Sequence, residues 1–310
     1  MQSSETKSPV IVIGMHRSGT SLVTRMMEQM GVFMGVCQDT NSEAEFFRLL
    51  NRWIFYQCGA AWDQPGPIRN LIENTEVRRL VTDYLRYMLG TRHAVSYLGW
   101  WKFLKYRNIL RIGSPWGWKD PSNTFTLPLW LDIFPHAKIV HVVRHGVDVA
   151  QSLLNRERNF LVAAEKLHER RKRRHEYWFR AKESGFVSSL RCFSLEGGFS
   201  LWEEYVAQAR LRTSTAINQS IELKYEDLLQ QPRESIYQLS LFCEISVTDM
   251  KVQEIVRSVD ATKAFQYRND HRLIEFANIV AKRLYRLGYP ADELGKADHD
   301  LGRDAICTNN

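Results

Sequence analysis

The 310-residue chain has no apolar run long enough for a signal peptide or a membrane-spanning helix, and its polar first eight residues lead straight into an apolar segment. A cytoplasmic protein is expected. No Gly/Ser/Pro-rich linker or internal repeat divides the sequence. One domain is therefore expected over residues 1–290, with 291–310, where apolar periodicity lapses, as a loose tail. Metal-ligand spacing is also missing. The cysteines Cys37, Cys58, Cys192, Cys243 and Cys307 are odd in number and scattered, as reduced thiols are, and no metal site is expected. Acidic residues fall short of basic ones, 35 against 42, for a net charge of +7 that suits a polyanionic ligand. Much of the excess lies in the run from His168 to Arg180. That run reads as a solvated helix face or as a basic rim attracting an acidic acceptor, while nucleic acid is disfavoured because none of its usual modules is present.

What is present begins with Val10-Ile11-Val12-Ile13, an apolar strand that runs into Gly14-Met15-His16-Arg17-Ser18-Gly19-Thr20-Ser21 and then an amphipathic helix. Backbone N–H groups and the positive end of a helix dipole make such a turn a phosphate cradle. The glycine spacing is that of a P-loop, yet Thr20 stands where a nucleotide triphosphatase carries its lysine. Positive charge sits at Arg17 instead, a planar fork of donors for phosphate or sulfate oxygens.

Three further segments follow the same plan. Lys138 to Val143 reads as a buried strand ending at Arg144, with Ser152 about two turns into the next helix, so that both can face one crevice. Trp116-Gly117-Trp118-Lys119-Asp120-Pro121 reads as a short strand stopped by proline, leaving Lys119 near its end. Ile221 to Lys224 is a short strand that delivers Tyr225 to the same edge, and its acidic pair Glu226-Asp227 is expected to cap the following helix. Strands near 9–14, 116–119, 138–143 and 220–224, separated by helical sequence, imply an α/β fold with a central, mostly parallel sheet flanked by helices and ligands gathered at the carboxyl ends of the strands. Helical stripes at Val77, Leu80, Val81, Tyr84, Leu85, Met88 and at Phe199, Trp202, Tyr205, Val206, Ala209 are expected core faces.

In these elements the chain resembles the sulfotransferases that use 3′-phosphoadenosine 5′-phosphosulfate (PAPS), closest in motif to bacterial, heparan-type and tyrosylprotein members. The resemblance implies that His16, Arg17, Ser18, Gly19, Thr20 and Ser21 form the 5′-phosphosulfate loop, that Arg144 and Ser152 hold the 3′-phosphate, and that Tyr225 lies near the nucleotide. It also implies that Lys119, in a Lys-x-Pro element, contacts the transferring group, with Arg17 sharing the catalytic charge. The general base is sought in Asn41-Ser42-Glu43-Ala44-Glu45-Phe46-Phe47, which resembles the base-bearing segment of heparan-type enzymes. Alignment on the two phenylalanines puts Glu43 on the base, with Glu45 as the alternative. Read without the family, Ser42 and Glu45 could instead form a capping box. The Lys-x-His-Leu-Pro element of the cytosolic small-molecule branch is missing. A late basic loop usual in the family has Gln266-Tyr267-Arg268-Asn269 as its best counterpart here. Trp53, Trp62, Trp100 and Trp101 lie where relatives build acceptor pockets, or they simply fill the core.

The implied activity is transfer of a sulfuryl group from PAPS to a hydroxyl-bearing acceptor, an anionic saccharide among the candidates, with PAP as product and no metal. Many animal relatives carry a membrane anchor and work in the Golgi; the bare start here suits a soluble member. Two alternatives stay open at this stage. One is a P-loop kinase using ATP and Mg²⁺, against which stand Thr20 and the lack of an apolar strand ending in aspartate. The other is a catalytically silent nucleotide-binding scaffold.

Overall fold

The computed structural model describes residues 6–182 and 185–289. The expected loose tail, with Cys307, lies outside the described residues.

Four strands, β1 (Val10–Gly14), β2 (Gly117–Lys119), β3 (Lys138–Val143) and β4 (Ser220–Lys224), form one parallel sheet in the order β2-β1-β3-β4. Val10 pairs with Gly117 on one side and with Lys138 on the other, and Ile139 pairs with Ser220. The central strand is buried along its whole length, which is why its sequence is a continuous apolar run rather than an alternating one. Because all four strands point the same way, Gly14, Lys119, Arg144 and Tyr225 emerge at one edge.

The helices are α1 (Thr20–Gln29), α2 (Glu45–Gln57), α3 (Ile68–Glu73), α4 (Thr75–Met88), α5 (Val95–Tyr106), α6 (Asn123–Ile133), α7 (Gly146–Arg173), α8 (Leu195–Thr213) and α9 (Tyr225–Gln230). They are followed by α10 (Pro232–Cys243), α11 (Asp249–Arg257), α12 (His271–Ile279) and α13 (Ala281–Arg286). They cover both faces of the sheet. Alternation along β1 sends Ile11 and Ile13 into a core with Phe47, Trp118, Trp130 and Trp202, and Val10 and Val12 into a second core with Met26, Met27 and Leu228. In the first core Phe47 stacks on Trp118 with ring centres 4.0 Å apart. The stripe on α8 is buried as expected from Phe199 to Ala209. On α4 only Val81 and Leu85 are buried, while Val77, Leu80 and Tyr84 are exposed. Tyr84 still meets the Trp53 ring and Met88 packs on the edge of the core, while Val77 and Leu80 face solvent.

Cys37, Cys58, Cys192 and Cys243 are free thiols. Among the described residues no helix is long and apolar enough to cross a membrane, and no cluster of three metal-ligating side chains occurs.

Candidate active site at the strand ends

The loop after β1 is shaped by close backbone approach. Gly14 has φ +138°, and a Cβ there would stand 2.4 Å from the Val142 carbonyl oxygen of β3. Gly19, the residue before α1, has φ +93°, and its Cβ would lie 2.2 Å from the Tyr225 ring. Only glycine allows both the left-handed backbone and the aromatic lid. Arg17 adopts φ +69° without being glycine, a strained state that surrounding contacts must hold. Its Nε donates to Ser152 Oγ at 2.8 Å, and its carbonyl accepts from Arg144 Nη1 at 3.4 Å. Loop, strand end and following helix are thus joined by direct bonds.

A cavity of about 230 Å³ opens beside this loop. Arg17, Arg25, Lys119, Arg144 and Arg156 line it against a single carboxylate, Glu43. His16, Gly19, Thr20, Ser21 and Tyr225 also line it. Ser18 and Ser152 do not. The Ser18 hydroxyl donates to the Met15 carbonyl at 2.6 Å and its N–H reaches the same oxygen, so a buried residue expected to face the ligand instead pins the loop closed. Ser21 faces the cavity but its hydroxyl donates to Asn41 O at 2.5 Å, tying the loop to the segment that carries Glu43.

Arg144 packs its guanidinium over the Tyr225 ring at 4.8 Å and donates through Nη2 to Asp148 at 3.2 Å, while its buried Nε has no partner. Asp148 also accepts the N–H groups of Gln266 and Tyr267 at 3.1 and 2.7 Å, which draws the late segment toward Arg144. Burial pushes the Asp148 carboxyl above its usual range, against the pull of Arg144. Arg268 itself stacks over Phe265 at 4.3 Å and is not part of the cavity lining.

Lys119 and Glu43 meet across the cavity, Nζ donating to Oε1 at 3.1 Å. Lys119 is 1 % exposed and Glu43 7 %. Burial first, and then the charge of nearby Asp120, push the Glu43 carboxyl up to about 7, while Lys119 acts to keep it ionised. Asp39 holds the turn that presents Glu43, its Oδ1 accepting the N–H groups of Asn41 and Glu43 at 2.8 and 2.9 Å. The alternative carboxylate, Glu45, lies exposed at the start of α2 and away from the cavity. The capping box is not formed: Ala44 is the N-cap, without a side-chain bond, and Ser42 has φ +61°.

Asp120 does not pair with Lys119 at the surface. It is buried and accepts from Asn51 Nδ2 at 2.8 Å and from the Ser122 N–H at 2.9 Å. Asn51 in turn donates to Asn123 and accepts from Thr126 and Trp130, so all its polar capacity is met. This network anchors the segment behind Lys119.

The His16 ring stands edge-on to Trp62, its Nε2 buried and without a partner. Burial, reinforced by Arg156, Lys119 and Arg17, drives its pKa down to about 3, so the imidazole is neutral. Glu226 does not cap α9. Its carboxylate accepts the His145 N–H at 2.8 Å and the Tyr289 hydroxyl at 3.0 Å, serving the start of α7 instead, and burial pushes its pKa up to about 7.

Of the four acceptor-pocket tryptophans, Trp62 packs under Arg156 at 4.5 Å and Trp53 against Tyr84, whereas Trp100 and Trp101 are exposed. The basic run forms the last turns of α7 and the short turn beyond, largely exposed, where cations complement the helix dipole.

Three site residues were not anticipated. Arg156 lies one turn beyond Ser152 on α7 and Arg25 one turn beyond Ser21 on α1, so an i, i+4 reading from the motif serines would have found both. Asp39 had an Asx-turn signal, Asp-x-Asn, just ahead of Glu43.

Comparison with known proteins gives two kinds of result. None of the curated proteins matches the chain. Among solved structures, the sulfotransferase domain from the curacin biosynthetic pathway aligns at 13 % identity and a TM-score of 0.48, over 89 % of this chain and 98 % of that one. The sulfotransferase domain of the Synechococcus PCC 7002 olefin synthase aligns at 16 % and 0.46, over 90 % and 98 %. A sulfotransferase from Alicyclobacillus acidocaldarius aligns at 15 % and 0.43, over 92 % and 97 %. The profile of the sulfotransferase family matches residues 9–249, a span that contains all four strands and every motif loop up to Tyr225. On that match the chain belongs to the sulfotransferase family.

Proposed function

We propose that the protein moves a sulfuryl group from PAPS to a hydroxyl-bearing acceptor, with Glu43 as general base. The observation that carries this reading is the Glu43–Lys119 pair, a base and a cation able to offset leaving-group charge, held together at the mouth of a phosphate loop. The donor supplies an activated sulfuryl group on a phosphate leaving group.

The residues fit such a polyanion. Five cations face the cavity, Arg144 Nε is buried without an acceptor, and α1 has no acid in its first turn to compete for its N-terminal N–H groups. Arg17 and the N–H groups of Gly19, Thr20 and Ser21 hold the 5′-phosphosulfate, with His16 beside them. Arg144 holds the 3′-phosphate, with Tyr225 packed against it. Ser152 acts through Arg17, whose strained conformation it stabilises, and Ser18 acts by closing the loop.

In the transfer, Glu43 takes the acceptor's hydroxyl proton as the acceptor oxygen bonds to sulfur and the bond from sulfur to the bridging oxygen breaks. Lys119 offsets the charge that builds on that bridging oxygen, and Arg17 the charge on the sulfuryl oxygens. The chain's own cations supply this compensation, so no metal is called for. A single domain through residue 290, working in the cytoplasm on a saccharide or another alcohol, completes the reading.

The test is PAP release from PAPS in the presence of saccharide, phenol and aliphatic alcohol acceptors. Turnover with one class, lost in Glu43→Gln, supports the proposal; equal turnover in parent and variant sinks it.

A further inference from the structure

We propose that the outer face of α5 is a docking surface for an anionic lipid bilayer. The helix is kinked at Gly99, which adopts φ +69° and ψ 164°, and the turn beyond it separates two faces. Phe103 and Tyr106 pack inward against the core. Trp100, Trp101 and Leu104 point outward and are 69 %, 87 % and 50 % exposed. Val36, 58 % exposed, adjoins them, since a Cβ on Gly99 would lie 3.1 Å from its Cγ2. Two exposed indoles beside two aliphatic side chains form an apolar patch of a kind soluble surfaces rarely leave uncovered.

Its charge says what covers it. Lys105 and Arg107 are exposed on the same turn, and from Tyr84 to Lys119 the sequence contains no Asp or Glu while carrying Arg86, Arg92, Lys102, Lys105, Arg107 and Arg111. Indole rings seat at the headgroup level of a bilayer, and Lys and Arg beside them meet anionic lipid headgroups. A second copy docked through the same patch would set Lys105 and Arg107 against their own counterparts, and a nucleic acid would leave Val36 and Leu104 without apolar partners. The helix is also too short to span a bilayer, so docking is peripheral.

The patch is rigidly presented. Val36 N–H donates to Tyr97 O at 2.8 Å and Cys37 N–H to Ser96 O at 3.1 Å, fastening α5 to the segment that leads to Glu43. Docking is independent of the chemistry at Glu43.

Co-sedimentation of the full chain with phosphatidylcholine vesicles, with and without phosphatidylglycerol, tests the proposal. The protein is expected to pellet with the anionic vesicles only and to be released as salt is raised. Lys105→Ala and Arg107→Ala should each weaken partitioning about fivefold. Trp100→Ser/Trp101→Ser should reduce pelleting to background with far-ultraviolet dichroism and melting unchanged, because both side chains are exposed; Lys105→Glu, outside the core, gives the same loss should the double variant misfold. Equal pelleting with neutral vesicles, no pelleting at all, or a tryptophan variant that pellets like the parent would overturn the proposal. So would loss in that variant of a dimer or of RNA binding in place of vesicle binding.

Discussion

The Lys119 ammonium lies 3.1 Å from the Glu43 carboxylate although the two residues are 76 positions apart, and both are withdrawn from water. Removing two charges from solvent is costly unless each satisfies the other and further partners help. Here β2 delivers the lysine, an Asp39-stabilised turn delivers the glutamate, and the Asp120–Asn51 network fixes the backbone between β2 and α6. Replacing Glu43 by Gln keeps an oxygen for Lys119 but removes the proton acceptor. Turnover should fall by about 10²–10⁴-fold, while PAP affinity, read by calorimetry, stays within a few-fold of the parent.

Lys119 and Arg144 should separate by their kinetic signatures. Lys119→Ala is expected to depress turnover with little change in PAP affinity, because its partner charge appears only as the bridging oxygen departs. Arg144→Ala should weaken PAP binding by an amount on the order of 1.5–3 kcal/mol, the worth of hydrogen bonds to a charged group. A PAP affinity unchanged in Arg144→Ala rules out the 3′-phosphate role.

Gly19→Ala should fail structurally as well as functionally. The new Cβ would meet the Tyr225 ring at 2.2 Å and the backbone stays at φ +93°. A loss of about 1–3 kcal/mol in denaturant unfolding is expected, with PAP binding abolished. Adding Tyr225→Ala relieves the clash but not the dihedral, so stability should return only in part.

A buried carboxyl and two buried imidazoles set opposite pH slopes. Glu226 is raised by burial from the ordinary 4.5 to about 7, so the folded state holds its proton more tightly than the unfolded chain. Its contribution to stability is complete below the unfolded value and is lost as pH rises through about 7. His16 and His145 are lowered to about 3 by burial, so they cost stability as pH falls below the ordinary 6.5. Urea unfolding of parent and Glu226→Gln between pH 5 and 8 isolates the first effect: the parent should lose on the order of 2–3 kcal/mol relative to the variant across that range. Parallel profiles would contradict this assignment. For turnover the sign is reversed at Glu43, whose carboxylate form is the base, so kcat/KM should rise with pH through about 7.

Asn51 is the structural keystone beneath the pair. Asn51→Ala strips buried Asp120 of a donor and leaves the Trp130 indole N–H without its acceptor, while Thr126 keeps only its longer bond to the Ser122 carbonyl. A loss of about 2–4 kcal/mol is expected in thermal or urea unfolding, larger than for truncating exposed Glu45.

β1, β2, β3 and β4 fall within a residue of their expected positions: β1 and β3 were legible as apolar runs buried in a parallel sheet, β2 from the proline that stops it, and β4, which is half polar, from its place in the motif order. The loop was legible for a local reason as well, since glycines at 14 and 19 mark backbone that no other residue can adopt. What local pattern does not encode is which distant partner a polar side chain finds. Glu226 looked like a cap for its own helix and instead serves His145, 81 positions away. Ser42 and Glu45 had capping-box spacing, but the Asp39 turn places Ser42 in the left-handed region and hands the cap position to Ala44. Ser18 matched a phosphate-contacting position, yet a loop this tight needs an internal donor, and its hydroxyl faces the backbone. On α4 the apolar stripe was real, but a stripe says nothing of how wide the surface beneath it is.

Calorimetric titration of the purified protein with PAP in chelator, beside adenosine 5′-monophosphate and Mg·ATP, decides which nucleotide the cavity takes. Micromolar PAP affinity is expected without metal, lost when the 3′-phosphate is absent and weakened about ten- to a hundredfold in Arg144→Ala. Preference for Mg·ATP, or equal affinity for PAP and adenosine 5′-monophosphate, would contradict the proposed use of PAPS.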